Sequence, residues 1–116
     1  MVNELIYWKN DIPPAFLCSV TYTGTTTPVD LTGYTMTLTV KSSKNDTVVI
    51  LTKTAVLSFP ETLGVGTFTW EDGDLNIPAK QYYYDVEIKK IVDLEVVERQ
   101  TVIGPTSFVI LQELTT

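Results

Sequence analysis

Apolar and polar residues alternate with a period of two along most of the chain. The clearest case is residues 34–41, where the even-numbered positions from Tyr34 to Val40 are apolar and the odd-numbered positions are threonines and Lys41. Successive side chains of a strand point to opposite faces, so this pattern predicts a strand with one buried and one exposed face. A helix would distribute the same residues around its circumference.

Six further segments alternate in the same way or are rich in β-branched and aromatic residues, which favour strands. They are residues 16–22, 47–54, 66–70, 81–90, 92–103 and 107–112. Because residues 47–54 are so rich in Val, Ile and Leu, we expect them to be more fully buried than the others. We expect Gly104 and Pro105 to separate the last two strands.

The segments between the predicted strands contain the Gly, Pro, Asp and Asn residues that turns favour. Residues 42–46 are predicted to form a hairpin turn, and residues 71–80 a loop whose acidic start suits a single helical turn. Seven or eight short strands without a long helical period predict an all-β fold. The expected architecture is an antiparallel immunoglobulin-like β-sandwich.

The chain has the size of one domain, and 116 residues can bury a core without a disulfide or a metal. Residues 1–14 include Trp8 and two prolines and are predicted to be an N-terminal arm that enters the first strand. Residues 15–116 are predicted to form a single β-sandwich domain.

The net charge of −6 limits the classes of partner. Nucleic acids and anionic membranes attract proteins rich in Lys and Arg, so we expect neither as a partner. No apolar run is longer than four residues, as in residues 108–111, which is too short to span a membrane. Residues 1–8 lack the pattern of a signal peptide, so synthesis in the cytoplasm without secretion is expected.

Few residues suited to catalysis are present. The chain has no histidine, which removes the commonest general base and most zinc sites. Its single cysteine, Cys18, is expected to be a small buried residue. The acidic residues 71–76 do not have the spacing of a calcium loop, so a solvated loop is favoured over a weak cation site. The sequence predicts a protein that is not an enzyme and has no cofactor or metal.

Aromatic residues are the remaining candidates for binding. In the run of three tyrosines at 82–84, the first and third share a face with Val86, and Tyr83 points to the other side. Exposed aromatic side chains can anchor a protein interface or stack on a sugar. Packing within the sandwich is the expected role of most of them, and a protein partner is favoured over a carbohydrate for any that are exposed.

Several segments resemble, in the same order, small bacteriophage virion domains such as the N-terminal domains of baseplate upper proteins. The resemblance is carried by residues 27–41, which contain Asp30-Leu-Thr-Gly33, and by residues 77–87, which read Ile-Pro-Ala-Lys-Gln-Tyr-Tyr-Tyr-Asp-Val-Glu. Residues 47–54 and 66–69 are similar to the strands between them. Gly104 followed by residues 108–110 is similar to the closing strand.

The resemblance implies a non-enzymatic structural protein of a phage particle, located in the virion. An assembly, adaptor or decoration subunit is expected, with the tail, baseplate or neck favoured over the capsid. Its partners would be other virion proteins and copies of itself. The arm and the acidic loop are the expected contacts, through Tyr7, Trp8, Lys9, Asp11, Glu71, Asp72 and Asp74, together with Tyr83. The alternative is a carbohydrate-binding module that uses surface aromatics.

Overall fold

The computed structural model of the chain describes residues 4–45 and 47–112. Residues 1–3 of the predicted arm, residue 46 of the predicted 42–46 turn and residues 113–116 lie outside the described residues. The strands are β1 (Leu5–Trp8), β2 (Phe16–Ser19), β3 (Tyr34–Lys41), β4 (Val49–Thr54), β5 (Val56–Leu57), β6 (Val65–Phe68), β7 (Gln81–Val92) and β8 (Glu95–Leu111). Within the described residues, no helix is long and apolar enough to cross a membrane.

The prediction of an all-β fold is confirmed. The strands form a five-stranded sheet in the order β1-β8-β7-β3-β4 and a three-stranded sheet in the order β2-β6-β5. The expectation of purely antiparallel pairing is wrong, because β1 runs parallel to β8, with Leu5 opposite Phe108. Almost the whole chain separates these two strands, so no tight turn forces them to be antiparallel.

The first strand begins earlier than the sequence pattern indicates. Leu5–Trp8, expected to be part of an arm, form the edge strand of the larger sheet. The physical reason is that Tyr7 points into the core, where its ring packs edge-on against Trp70 and Phe108. The strand Leu5–Trp8 is therefore an integral part of the fold.

The core lies between the two sheets. Its centre is aromatic: Phe16 and Phe68 of the smaller sheet stack with ring centroids 6.0 Å apart, and Tyr84 of the larger sheet meets Phe16 edge-on at 6.2 Å. The inward residues of β3 and β7 surround this centre, and those from Met36 to Val40 are fully buried. The apolar positions of the alternating sequence thus form one layer, buried from solvent, between the two sheets.

The segment Asp30-Leu-Thr-Gly33 forms the turn that starts β3. Leu31 is completely buried, and the Asp30 carboxylate accepts hydrogen bonds from the backbone N–H and the hydroxyl of Thr32. These bonds lower the pKa of Asp30. Gly33 has a φ of 82°, which glycine adopts without steric cost. Each residue of this segment therefore has a structural role in the turn.

The expectation that residues 47–54 are more fully buried is wrong. β4 is an edge strand that pairs only with β3, and its first two residues, Val49 and Ile50, are exposed. Apolar composition does not distinguish an edge strand from a central one, because that difference depends on which distant strands pair with it.

Gly104 and Pro105 do not divide the last strand. β8 is continuous, and its pairing with β7 shifts register at this point: Thr106 lies opposite Tyr84, and Ile103 opposite Val86. Gly104 and Pro105 of β8 therefore lie opposite a single residue of β7, Asp85. A bulge of this kind accommodates a proline, which has no N–H to donate to the ladder. The helical turn expected near residue 71 is also absent from the described loop, and a 3-10 turn lies instead at Glu61–Leu63.

We predict that Gly64→Ala destabilises the fold by more than Gly24→Ala. Both glycines have positive φ, 68° and 76°, so the left-handed conformation costs each alanine about 1–2 kcal/mol. A Cβ at Gly64 would also lie 2.7 Å from the Val20 carbonyl oxygen, whereas at Gly24 it would meet nothing within 4 Å. Crowding of this kind costs roughly 1–3 kcal/mol more.

Urea unfolding of both variants measures this difference. Equal losses of unfolding free energy would show that the backbone around Gly64 relaxes freely, which would contradict the packing described here.

Candidate functional site

The predicted contact residues of the N-terminal segment divide into buried and exposed groups. Tyr7 is part of the core, and burial raises the pKa of its hydroxyl. Trp8 is 46% exposed and lies on the outer face of the sheet beside Leu111. The backbone of Lys9 bonds to the Leu111 carbonyl oxygen, and Asp11 is exposed. Trp8 and Asp11 are therefore exposed to a partner, whereas Tyr7 is partly buried against the core.

The acidic loop is held by a lysine. Lys53 of β4 is only 12% exposed, and its ammonium lies 2.8 Å from Asp74 Oδ2 and 3.4 Å from Glu71 Oε1. The same Asp74 oxygen accepts the backbone N–H of Glu71, which closes the loop. Burial alone would lower the pKa of Lys53, but the hydrogen bonds and charges of Asp74 and Glu71 outweigh it and raise the pKa. Two of the three predicted acidic contacts are therefore engaged within the fold.

We predict that Asp74→Ala destabilises the protein and Asp72→Ala does not. Loss of Asp74 removes two charge-assisted hydrogen bonds and leaves the poorly exposed Lys53 with the longer Glu71 contact alone, which we expect to cost roughly 1–3 kcal/mol. Asp72 is exposed, and its replacement should change stability by less than about 0.5 kcal/mol. Thermal unfolding of the two variants measures the contrast, and equal melting temperatures would refute the structural role of Asp74.

The structure brings the N-terminal segment and the acidic loop together. The backbone N–H of Asn10 donates to the Leu75 carbonyl oxygen at 3.2 Å, and Leu75 is itself fully buried. Asp11 and Asp72 are exposed on the segments joined by this bond. Tyr83 belongs elsewhere, on the outer face of the larger sheet, where the Lys44 ammonium lies 5.2 Å from its ring centroid.

The three consecutive tyrosines do not form an exposed platform. Tyr82 is 2% exposed and Tyr84 1% exposed, so neither ring can stack on a ligand. Burial raises the pKa of Tyr84 to about 12. The Tyr82 hydroxyl donates to the Pro78 carbonyl oxygen at 2.6 Å, which ties the start of β7 to the preceding loop. Only Tyr83 retains partial exposure, with Lys44 beside its ring.

A second candidate site, which the sequence pattern did not predict, lies at the far end of the β7–β8 hairpin. The pairing of β7 with β3 ends where Lys90 lies opposite Tyr34, the first residue of β3, and β7 continues beyond this point paired with β8 alone. We call residues 91–97 the hairpin tip. Five of its seven residues are exposed large apolar side chains: Ile91, Val92, Leu94, Val96 and Val97.

The turn of the hairpin tip has unusual backbone geometry. Asp93 and Leu94 connect the paired residues Val92 and Glu95, and both have positive φ, 51° and 67°. Two-residue hairpin turns of this geometry favour Asn-Gly or Asp-Gly, because the conformation is sterically costly for other residues. Leu94 adopts it nonetheless and leaves its side chain 99% exposed. A strained and fully solvated leucine contributes nothing visible to the fold.

Charged side chains hold the base of the hairpin on both faces. On one face the Tyr34 hydroxyl donates to Glu98, and the Lys90 ammonium lies 5.8 Å from the Tyr34 ring centroid. On the other face Glu87 lies 3.6 Å from both Lys89 and Arg99. The hairpin tip therefore projects from an anchored base.

The sequence matches no protein-family model and no curated protein. Across the described ranges 4–45 and 47–112, no group of three or more Cys, Asp or Glu residues is placed to hold a metal ion. Three surfaces are the candidate sites: the exposed apolar hairpin tip, the joined N-terminal segment and acidic loop, and the face around Tyr83.

We predict that Leu94→Gly makes the isolated protein more stable. Glycine avoids the cost of about 1–2 kcal/mol that the left-handed conformation imposes on Leu94, and no buried contact is lost because the side chain is solvated. After the entropy cost of glycine, roughly 0.5–1 kcal/mol, a net gain of about 0.5 kcal/mol remains.

Leu63→Gly is the matched control, because Leu63 is also exposed but does not have positive φ. Urea unfolding should show a loss of stability for the control. A comparable loss for Leu94→Gly would show that Leu94 has a role in folding.

Proposed function

We propose that the chain is a non-enzymatic structural subunit of a bacteriophage virion, an immunoglobulin-like domain that assembles through protein–protein contacts. The observation that carries the assembly role is the hairpin tip, which presents five exposed apolar side chains on a projecting ribbon. Exposed apolar surface grouped in this way is typical of protein interaction sites. The proposed location rests on the resemblance of residues 27–41 and 77–87 to phage virion domains.

The order of the strands supports the immunoglobulin-like assignment. Naming β2 to β8 as strands B, C, C′, D, E, F and G gives a G-F-C-C′ sheet and a B-E-D sheet. This is the arrangement of immunoglobulin variable-type domains without their C″ strand. In this scheme β1 takes the place of a first strand that pairs with strand G.

A tyrosine at the start of the proposed strand F gives independent support. In immunoglobulin-like domains, a tyrosine at this corner bonds to backbone a few residues upstream and precedes the second core cysteine by two residues. Tyr82 bonds to Pro78 in this way. Tyr84 stands where the second cysteine would be, and its ring meets that of Phe16 of β2 edge-on at 6.2 Å. An aromatic contact would thus replace the usual disulfide.

A carbohydrate-binding module remains the second proposal, and little in the structure favours it. Two of the three clustered tyrosines and Trp70 are buried, whereas Trp8 and Tyr83 are partly exposed on the same outer face. A glycan that binds the wild type and not Trp8→Ala or Tyr83→Ala would support this alternative.

Deletion of the N-terminal segment is a poor test of assembly. It would remove Tyr7 from its contacts with Trp70 and Phe108, so loss of assembly could follow from loss of folding. Substitutions in the hairpin tip avoid this difficulty, because the side chains concerned are exposed.

We predict that Leu94→Asn/Val96→Thr prevents incorporation into phage particles while the protein stays folded. Asparagine tolerates positive φ, and threonine retains strand propensity. Loss of an apolar anchor typically costs a protein interface at least about 1–2 kcal/mol, so we expect incorporation to fall roughly tenfold or more. The variant is expressed in cells infected by a phage from which the gene for this protein has been deleted. Mass spectrometry of the purified particles then measures how much of the variant they contain.

The control variant is Leu63→Asn/Val56→Thr, which changes the same residue types at exposed positions away from the tip. Absence of the wild-type protein from particles would overturn the virion location. Equal incorporation of the two double variants would overturn the role of the hairpin tip.

A further inference from the structure

The outer edge of β1 is open. β1 is the first strand of the five-stranded sheet and, in the part of the chain that the structure describes, it pairs with β8 alone. The Lys9 N–H donates to the Leu111 carbonyl oxygen on the β8 side. Because successive residues of a strand direct their N–H and C=O groups to alternate sides, Ile6 and Trp8 direct theirs away from β8. An edge of this kind is a template for a further strand.

The same edge carries an apolar surface. The side chains of Ile6 and Trp8 lie on the outer face of the sheet, since Tyr7 between them packs in the core. They are 54% and 46% exposed. Val109 lies beside Ile6, and Leu111 lies beside Trp8. These four outer side chains form an apolar block that ends at the open edge, where a partner strand would extend it.

The charges that flank β1 have opposite signs. Glu4 precedes the strand, Lys9 follows it, and no charged residue lies between them. Glu4 is exposed and Lys9 is partly exposed. A second β1 in antiparallel orientation reverses the order of the charges, so Glu4 of each copy comes to lie beside Lys9 of the other. The edge is therefore complementary to itself, although the net charge of −6 makes two copies repel each other elsewhere.

The other edges of the two sheets have features that hinder pairing. Prolines, charged side chains and bulges protect sheet edges. Pro13 and Pro14 precede β2, and the pairing of β4 shifts register between Val40 and Lys41 of β3. The part of β8 that β1 leaves open, residues 95–107, has three register shifts. β5 has only two residues. β1 contains no proline, no charge and no register shift, so its short length is what limits pairing.

We propose that β1 of one copy pairs antiparallel with β1 of a second copy around a two-fold axis at Tyr7, a contact that goes beyond the proposed function because it involves neither the hairpin tip nor the virion. Ile6 of each copy lies opposite Trp8 of the other, and their main-chain groups bond to each other. The Trp8 carbonyl oxygen accepts the Asp11 N–H at 3.2 Å and keeps a second lone pair for Ile6. The axis is perpendicular to the sheet, so both apolar blocks stay on one face and become continuous.

The contact is weak for an isolated pair. Stable interfaces bury roughly 800 Å² on each partner, and a pair of four-residue strands covers less than this. We therefore expect a dissociation constant of roughly 0.1–1 mM. Any arrangement that holds two copies close together raises their effective concentration and makes the same contact persistent. β1 pairs with the last residues of β8, Phe108 to Leu111, so the hairpin tip at the other end of β8 stays accessible.

Sedimentation equilibrium of the isolated protein at low salt tests the charge pairing. We expect Glu4→Lys and Lys9→Glu each to weaken dimerisation roughly tenfold, because each creates two like-charge contacts per dimer. Glu4→Lys does so although it lowers the net negative charge, which by itself favours association. The double variant Glu4→Lys/Lys9→Glu should recover the wild-type affinity. A wild type that stays monomeric up to about 1 mM, or a double variant that does not recover, would overturn the proposal.

Matched variants elsewhere on the chain control for charge and for apolar surface. Glu95→Lys makes the same charge change at an exposed position of the hairpin tip and should not weaken dimerisation. Ile6→Thr should weaken it, whereas Ile12→Thr, at a position that is 59% exposed and outside the strands, should not. If either control weakens dimerisation as much as the β1 variant it matches, the dimer uses another surface and the proposal is wrong.

Disulfide cross-linking tests the orientation and register of the two strands. Ile6→Cys and Trp8→Cys are mixed in equal amounts under mild oxidation. Opposite residues of the proposed pair have Cα atoms about 5.5 Å apart, within the range that a disulfide spans. Two copies of the same variant place their thiols two positions apart along the strands, beyond the limit of about 7 Å.

We therefore expect dimers that join the two variants well in excess of the half that random pairing gives. The native thiol does not interfere, because Cys18 is buried and burial raises its pKa to about 11. Random proportions, or an excess of dimers between copies of one variant, would contradict the antiparallel pairing at Tyr7.

Discussion

The structure depends on the burial of aromatic side chains between two sheets that each keep one face dry. Phe16 and Phe68 from one sheet meet Tyr84 and Phe108 from the other. Because the side chains of a strand alternate, a slip of one residue in β7 would bring its charged residues into the core. The same constraint decides the outer surface: burial of the tyrosines on either side places Tyr83 outside, next to a lysine of β3. The outer face around Tyr83 is thus the reverse side of the core.

Local pattern predicted the strands that are central and long. Residues 34–41 form β3 with the predicted bounds, and the start of β7 at Gln81 is also confirmed. Pattern failed where distant pairing decides the result. The four residues of β1 alternate too briefly to be recognised, and their partner β8 lies at the other end of the chain. The exposure of β4 has the same origin, since position in a sheet is a long-range property.

The burial of the candidate contact residues was predicted less well than the strands, for reasons visible in single residues. Tyr7 and Asp74 belong to residue types that bind partners, but here they serve the core and the Lys53 ion pair. The hairpin tip escaped prediction because Asp93-Leu94 is not a favoured turn pair and because its apolar run breaks the alternation. A local conflict of this kind in a sequence often marks a functional region. In the sequence, the feature that could have indicated this region is a leucine, instead of glycine, after Asp93 in the turn.

The buried position of Cys18 has a consequence for the redox chemistry of the protein. It is the only sulfhydryl in the chain, it is sealed in the core, and its pKa of about 11 keeps it protonated at physiological pH. Thiolate is the species that oxidants attack. The covalent structure is therefore the same in a reducing cytosol and in air-saturated medium. The single thiol of the chain therefore does not readily link copies of the protein through disulfides.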